Sequence, residues 1–142
     1  MAPSLTTLSD LERVLFLRSV GLFAALPPHD LGSLAAVARE QAYGDGEVLA
    51  AQGAPGDELH IVVAGAVRVV GAAGDELARR DAGEVVGEMA LITGDPRSAS
   101  LVAAGDVRTL RLSRAEFEGV LRERPETAIE VIRILSRRLA PV

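Results

Sequence analysis

The 142-residue chain has no cysteine, no lysine and no tryptophan. Without cysteine there are no disulfides, thiolate metal sites or cysteine nucleophiles. All 15 basic residues are arginine, which removes the phosphate-loop lysine, Schiff-base chemistry and lysine-anchored cofactors. Aromatic residues are 3% of the chain, so stacking platforms for single-stranded bases are not available. A net charge of -5 runs against general nucleic-acid binding, because phosphate neutralisation needs an excess of cations. The longest apolar run, "IVVAGAV", is too short to span a bilayer. The opening "MAPSLTTLSDLERV" lacks the basic start and apolar centre of a signal peptide. A cytoplasmic location is expected, with no membrane in this chain and no direct nucleic-acid partner.

What remains, 49% hydrophobic and 25% charged, is the composition of a globular domain of one core. "SDLERVLFLRSV" offers Ser9 as an N-cap, with Leu11, Val14, Leu15 and Leu17 at near-helical spacing and Gly21 to end the helix. "LPPHDLGSLAAVARE" places Pro28 in the first turn of a second helix carrying Leu31, Leu34, Ala35 and Ala38 on one face. From Gln41 the chain breaks into short apolar pieces. Turn signals recur at Gly44 to Gly46, Gly53 to Asp57, Gly65, Gly71 to Asp75, and Gly83. That spacing is typical of a sandwich or barrel of short antiparallel strands. "SRAE", Ser113 to Glu116, fits a capping box, and Pro125 starts a last helix with Ala128, Ile129, Ile132 and Leu135 as its apolar stripe. The pattern predicts one α+β domain over 1–142, an antiparallel β-roll (a jelly-roll-like barrel) with helices at both ends. The helical lead-in covers about 8–39, the roll about 40–112 and the terminal helices about 113–139.

The stretch "VVGEMALITGDPRSAS", Val85 to Ser100, carries the chemistry. "GEMALI" suits one short helical turn whose free N–H groups form an anion site. Gly87 allows close approach to the backbone. Arg97 supplies a planar fork matched to two phosphate oxygens, and Ser98 adds a donor. Glu88 repels phosphate and makes sense if it accepts a hydrogen bond from a hydroxyl on the same ligand. Taken alone, Glu88 and Arg97 are also compatible with a solvated ion pair worth under about 1 kcal/mol.

This segment resembles the phosphate-binding cassette of the cyclic-nucleotide-binding domain family, found in kinase regulatory subunits, gated channels and catabolite-activator-type regulators. Gly87, Glu88, Ala90, Leu91, Pro96, Arg97, Ser98 and Ala99 match its pattern in order, with Met89 at the variable position. The resemblance implies a roll of about eight strands. It implies that Arg97 and Ser98 hold a cyclic phosphate, helped by backbone amides near Ala90 and Leu91, and that Glu88 holds the ribose 2′-hydroxyl. The base then lies against Val67, Val69, Leu77 and Val86. By likeness to channel-type members, Arg138 on the last helix covers the base. Three positions differ from the family pattern. His60 stands where an aromatic is usual and Val86 replaces a common phenylalanine, which thins the pocket wall. Arg80 replaces an apolar residue, and either points outward or adds a second cation beside the ligand.

The function implied is a non-enzymatic cyclic-nucleotide sensor, cyclic AMP or cyclic GMP, whose terminal helices reorient on binding. Cyclic AMP is expected to be the tighter ligand. A degenerate roll that has lost its ligand and serves dimerisation or scaffolding is the alternative. Catalysis is not expected, since no nucleophile–base pairing is readable and His29 and His60 are far apart. No metal and no cofactor beyond the ligand are anticipated. A homodimer, or an output domain in a longer protein, is the expected partner.

Overall fold

The computed structural model describes residues 8–88 and 90–139, and of Ala90, Arg138 and Leu139 only the backbone element. Helix α1 (Asp10–Arg18) starts at Ser9, whose hydroxyl accepts from Glu12 N–H while the Glu12 carboxylate accepts from Ser9 N–H. The sequence marks Ser9 as the N-cap, and the structure adds the reciprocal bond from Glu12. The helix stops at Arg18, short of Gly21, and tight turns through Leu26 bury Val20, Leu22 and Phe23. Helix α2 (Pro28–Val37) buries Leu31, Leu34 and Ala35.

Six strands follow among the described residues. They are β1 (Arg39–Tyr43), β2 (Val48–Ala50), β3 (Glu58–Val70), β4 (Glu76–Asp81), β5 (Val85–Val86) and β6 (Ser100–Ser113), with the short helix α3 (Ala90–Thr93) between the last two. All pairings are antiparallel, in the order β1-β6-β3-β4, with β2 also on β6 and β5 on β3. The expected eight or so strands are six because β3 and β6 each serve both halves of the roll. The first half of β3 pairs with β5 and the end of β6; its second half pairs with β4 and the start of β6.

Gly65, expected at a turn, lies inside β3 at φ +86°, where the register against β6 shifts. A Cβ there would sit 2.3 Å from the Asp106 carbonyl oxygen. This bulge bends the long strands together, and only glycine fits it.

Helix α4 (Arg114–Glu123) begins at Ser113, whose hydroxyl accepts from Glu116 N–H and lies 2.8 Å from the Glu116 carboxylate. Helix α5 (Pro125–Leu139) follows after Arg124 alone. The expected stripe is displaced. Thr127, Val131 and Ile134 are buried, whereas Ile129 and Ile132 are 50% and 61% exposed. The apolar surface of α5 is wider than the contact it makes, and the row at i, i+4, i+7 faces inward.

Two apolar clusters result. The larger joins the helices to Leu59, Ile61, Leu110 and Leu112 at one end of the roll and takes in Leu91 of α3. The smaller, around Tyr43, Val62, Val67, Leu101, Ala103 and Val107, fills the roll interior. Asp30, in the first turn of α2, is 2% exposed and accepts from Arg124 Nε at 2.5 Å, which ties the α4–α5 junction to α2. Among the described residues no helix is long and apolar enough to cross a membrane.

Candidate functional site

The segment after β5 is built around Arg97. Its backbone is clamped by the Gly53–Asp57 turn, where Gly53 N–H donates to the Arg97 carbonyl and Arg97 N–H donates to the Ala54 carbonyl, both at 2.9 Å. Its guanidinium Nη2 donates to the Glu58 carbonyl. Gly87, at φ +83°, lies beneath the guanidinium: a Cβ there would be 2.4 Å from Arg97 Nη1 and 2.8 Å from the Glu58 oxygen. The close approach that glycine permits here is therefore that of Arg97 itself.

Arg97 is half-buried, its Nε is buried with no hydrogen-bond partner, and among the described residues it makes no ion pair. Burial pulls its pKa below the ordinary arginine value, while Asp57 and Glu58 act in the opposite direction. A desolvated cation without a carboxylate in contact has strong attraction left for an incoming anion.

One cavity of about 450 Å³ brings the segment together. Gly87, Glu88, Arg97 and Ser98 line it, along with Val85, Val86, Thr93, Asp95, Pro96 and Arg80. Acid, guanidinium and hydroxyl thus line one space. Helix α3 forms at the expected short turn and is anchored by Leu91 in the larger core. Gly94, which follows it, packs against the Arg114 guanidinium and so touches the start of α4. Ala99 is buried beside Ser98, which is exposed.

The expected base wall is only partly assembled. Val86 lines the cavity. Val67 is fully buried in the roll interior, and Val69 packs against the same cluster. Leu77 is 60% exposed. Ala78 pairs with Val69 and Glu76 with Val70, so Leu77 is the unpaired residue of a bulge and turns away. Of the two orientations open to Arg80, the structure shows the one that lines the cavity. Met89 and the Arg138 side chain lie outside the described residues.

His60, on β3 opposite Val86, is 2% exposed and edge-on to Tyr43. Burial first, then Arg97 and Arg111, lower its pKa to about 4, so it is neutral at pH 7. Its Nε2, 3.7 Å from Glu58 Oε2, is then a dipole beside a carboxylate and not an ion pair. The clamp by Gly53 and Ala54, the Glu58 carbonyl, and Thr93 and Asp95 in the lining are contributions that residue types alone did not announce. The Gly53–Asp57 turn was the one available signal.

A family model described as the cyclic nucleotide-binding domain matches residues 40–124. The chain belongs to this family. Among relatives of this cyclic nucleotide-binding domain is a cyclic nucleotide-gated potassium channel of Rhizobium etli. It is 38% identical over 140 residues, which cover 93% of this chain and 39% of the channel. A CRP-like cAMP-activated global transcriptional regulator of Mycobacterium tuberculosis is 27% identical over 127 residues, covering 87% of this chain and 57% of the regulator. The chain therefore spans less than two thirds of either relative. The N-terminal domain of a transcriptional regulator from Streptomyces coelicolor superposes with a TM-score of 0.79 at 34% identity, covering 87% of this chain and 91% of that one. The regulatory domain of Toxoplasma gondii PKA with cAMP gives 0.72 at 27% identity, covering 92% and 49%. These relatives are regulators and a channel, proteins that bind and respond.

Proposed function

We propose that residues 1–142 form one sensor domain that reversibly binds a 3′,5′-cyclic purine nucleotide in the cavity beside Gly87, without catalysing a reaction on it. The observation that carries this reading is Arg97: a half-buried guanidinium with no ion pair among the described residues, in one cavity with Glu88 and Ser98. Arg97 and Ser98 hold the cyclic phosphate, with backbone amides of the α3 turn beside them. Glu88 accepts from the ribose 2′-hydroxyl, which accounts for an acid in an anion site. The base lies on the Val86 side. Two contacts carry occupancy to the terminal helices. Arg114 rests on Gly94 at the end of the cassette, and Arg124 holds the α4–α5 junction to Asp30. A ligand moves α5 by preferring one of its positions, with Arg138 as the residue that would cover the base. The named functions of the channel, the cAMP-activated regulator and the cAMP-bound regulatory domain support this reading.

Calorimetric titration with cyclic AMP, cyclic GMP and the two linear 5′-monophosphates tests it. Binding of a cyclic nucleotide and not of its linear counterpart is expected. No binding by either cyclic ligand would overturn it.

A second reading, a roll that has lost its ligand and associates through its terminal helix, draws on the exposed Ile129 and Ile132 of α5. It predicts a constitutive dimer in sedimentation and no shift with any nucleotide.

A further inference from the structure

Arg80 gives the cavity a second guanidinium. Along β4, Ala78 and Arg80 are half-buried while Arg79 and Asp81 are exposed, the two-residue alternation of a strand. Arg68 and Arg79 lie by Glu76, at 2.8 and 3.9 Å. Arg80 lines the cavity, and among the described residues it makes no ion pair. Its Nη1 donates to the Arg79 carbonyl at 3.2 Å. Arg80 pairs with Val67 on β3, whereas Val86 pairs with His60 near the start of that strand. The Val85–Val86 step therefore separates Arg80 from Gly87 and Arg97. One cation stands at the cassette end of the cavity and the other across the apolar step, where the base would lie.

We propose that Arg80 reads the base and selects a 6-oxopurine, guanine, over adenine. The inference rests on the cyclic-nucleotide reading of the cavity, and it reverses the expectation of tighter cyclic AMP binding. A guanidinium offers donors alone, in a planar fork. Guanine presents two acceptors, O6 and N7, along one edge. Adenine sets its N6 amino group beside N7, so one N–H of the fork would meet another donor. The fork therefore matches guanine at both positions and opposes adenine at one. Ala78, the neighbouring half-buried residue on β4, is too small to displace the guanidinium.

The test is calorimetric titration of the full chain, wild type, Arg80→Leu and Arg80→Lys, with cyclic AMP, cyclic GMP and cyclic IMP. Cyclic IMP carries O6 without the exocyclic amine, so it reports Arg80 free of any contact made to that amine. Cyclic GMP and cyclic IMP should bind wild type about tenfold tighter than cyclic AMP. Arg80→Leu should shrink that ratio by about fivefold or more, and Arg80→Lys, a point charge able to serve one acceptor, should fall between. Cyclic AMP binding as tightly as cyclic IMP, or a ratio unchanged in Arg80→Leu, overturns the base assignment and leaves the cyclic-nucleotide reading standing. Failure of all three ligands removes that reading itself. A cyclic dinucleotide that binds more tightly than any of them, and loses this in Arg80→Leu, would assign Arg80 to a second phosphate and overturn the proposal.

Discussion

At Gly87 the absent side chain is what lets Arg97 take its place, so two residues ten positions apart act as one. Gly87→Ala puts a Cβ against the Arg97 guanidinium and the Glu58 oxygen in a left-handed backbone conformation. It should cost roughly 2–4 kcal/mol of stability and reduce ligand affinity nearly as far as Arg97→Ala. That second variant would remove the bidentate charged contact proposed for the phosphate, worth roughly 3–5 kcal/mol where such a contact is well buried. Near-wild-type affinity in Gly87→Ala, read by calorimetry, would mean that the guanidinium binds from some other place. Glu88 is tested with the 2′-deoxy ligand. Losing the ribose bond should cost wild type about 1.5–3 kcal/mol and cost Glu88→Ala little more, whereas additive losses would separate Glu88 from the ribose. His60 sets a pH response. Its pKa of about 4 in the fold lies below the 6.5 of a free histidine. Between those values the unfolded chain binds a proton that the folded chain refuses, so stability falls as pH drops through that window. The full effect is roughly 3 kcal/mol. His60→Phe should flatten the fall in melting temperature from pH 7 to 4.5, and an equally steep fall in the variant would place its origin in the carboxylates.

At the level of elements, what was legible was local. Ser9, Pro28, Ser113 and Pro125 mark four helix starts because a cap is decided within one turn. The strands were harder, because a glycine that ends a strand and one that bends it look alike in sequence. Gly65 reads as a turn in the sequence and is a bulge in the fold, and this is why six strands among the described residues do the expected work of eight. Leu77, a wall residue by the family resemblance, is the extra residue of another bulge, a shift of one position that reverses a side chain's direction. On α5, hydrophobic spacing showed an apolar face but not which row of it would be covered. The bulge carries its own test. Gly65→Ala meets a backbone oxygen that cannot move aside, whereas Gly74→Ala, at φ +84°, has nothing within 4 Å of the new Cβ. Urea denaturation should show a loss of about 1–2 kcal/mol for Gly74→Ala and roughly 2–4 kcal/mol for Gly65→Ala. Equal losses would mean that the strands relax around the added methyl.

For the whole molecule, β3 and β6 run through both apolar clusters, so neither cluster can come apart while the other keeps its strands. One cooperative transition is the expected outcome. The chain has a single tyrosine and no tryptophan, and Tyr43 lies in the roll interior. Its fluorescence reports that cluster while far-ultraviolet dichroism is dominated by the helices. The two melting curves should coincide, and a gap of several degrees would show the helical layer leaving first. The site divides in the same way between near and far. The cassette was legible because its side chains are contiguous in the sequence. The clamp on Arg97 was not, because Gly53, Ala54 and Glu58 act through backbone atoms from some forty residues away, and backbone atoms carry no residue type.

The contact between Arg124 and Asp30 has a mechanical consequence. It holds one end of a 15-residue helix, a rod about 22 Å long. A rotation of about 20° at the held end would carry the far end through roughly 8 Å over that length. Seen from the pivot, α5 is a lever with high gain, and a small torsion near Arg124 becomes a large displacement at its tip. Seen from the tip, the same lever divides force: whatever grips the far end must travel several ångströms to turn the junction slightly, against the resistance of the buried Val131 and Ile134.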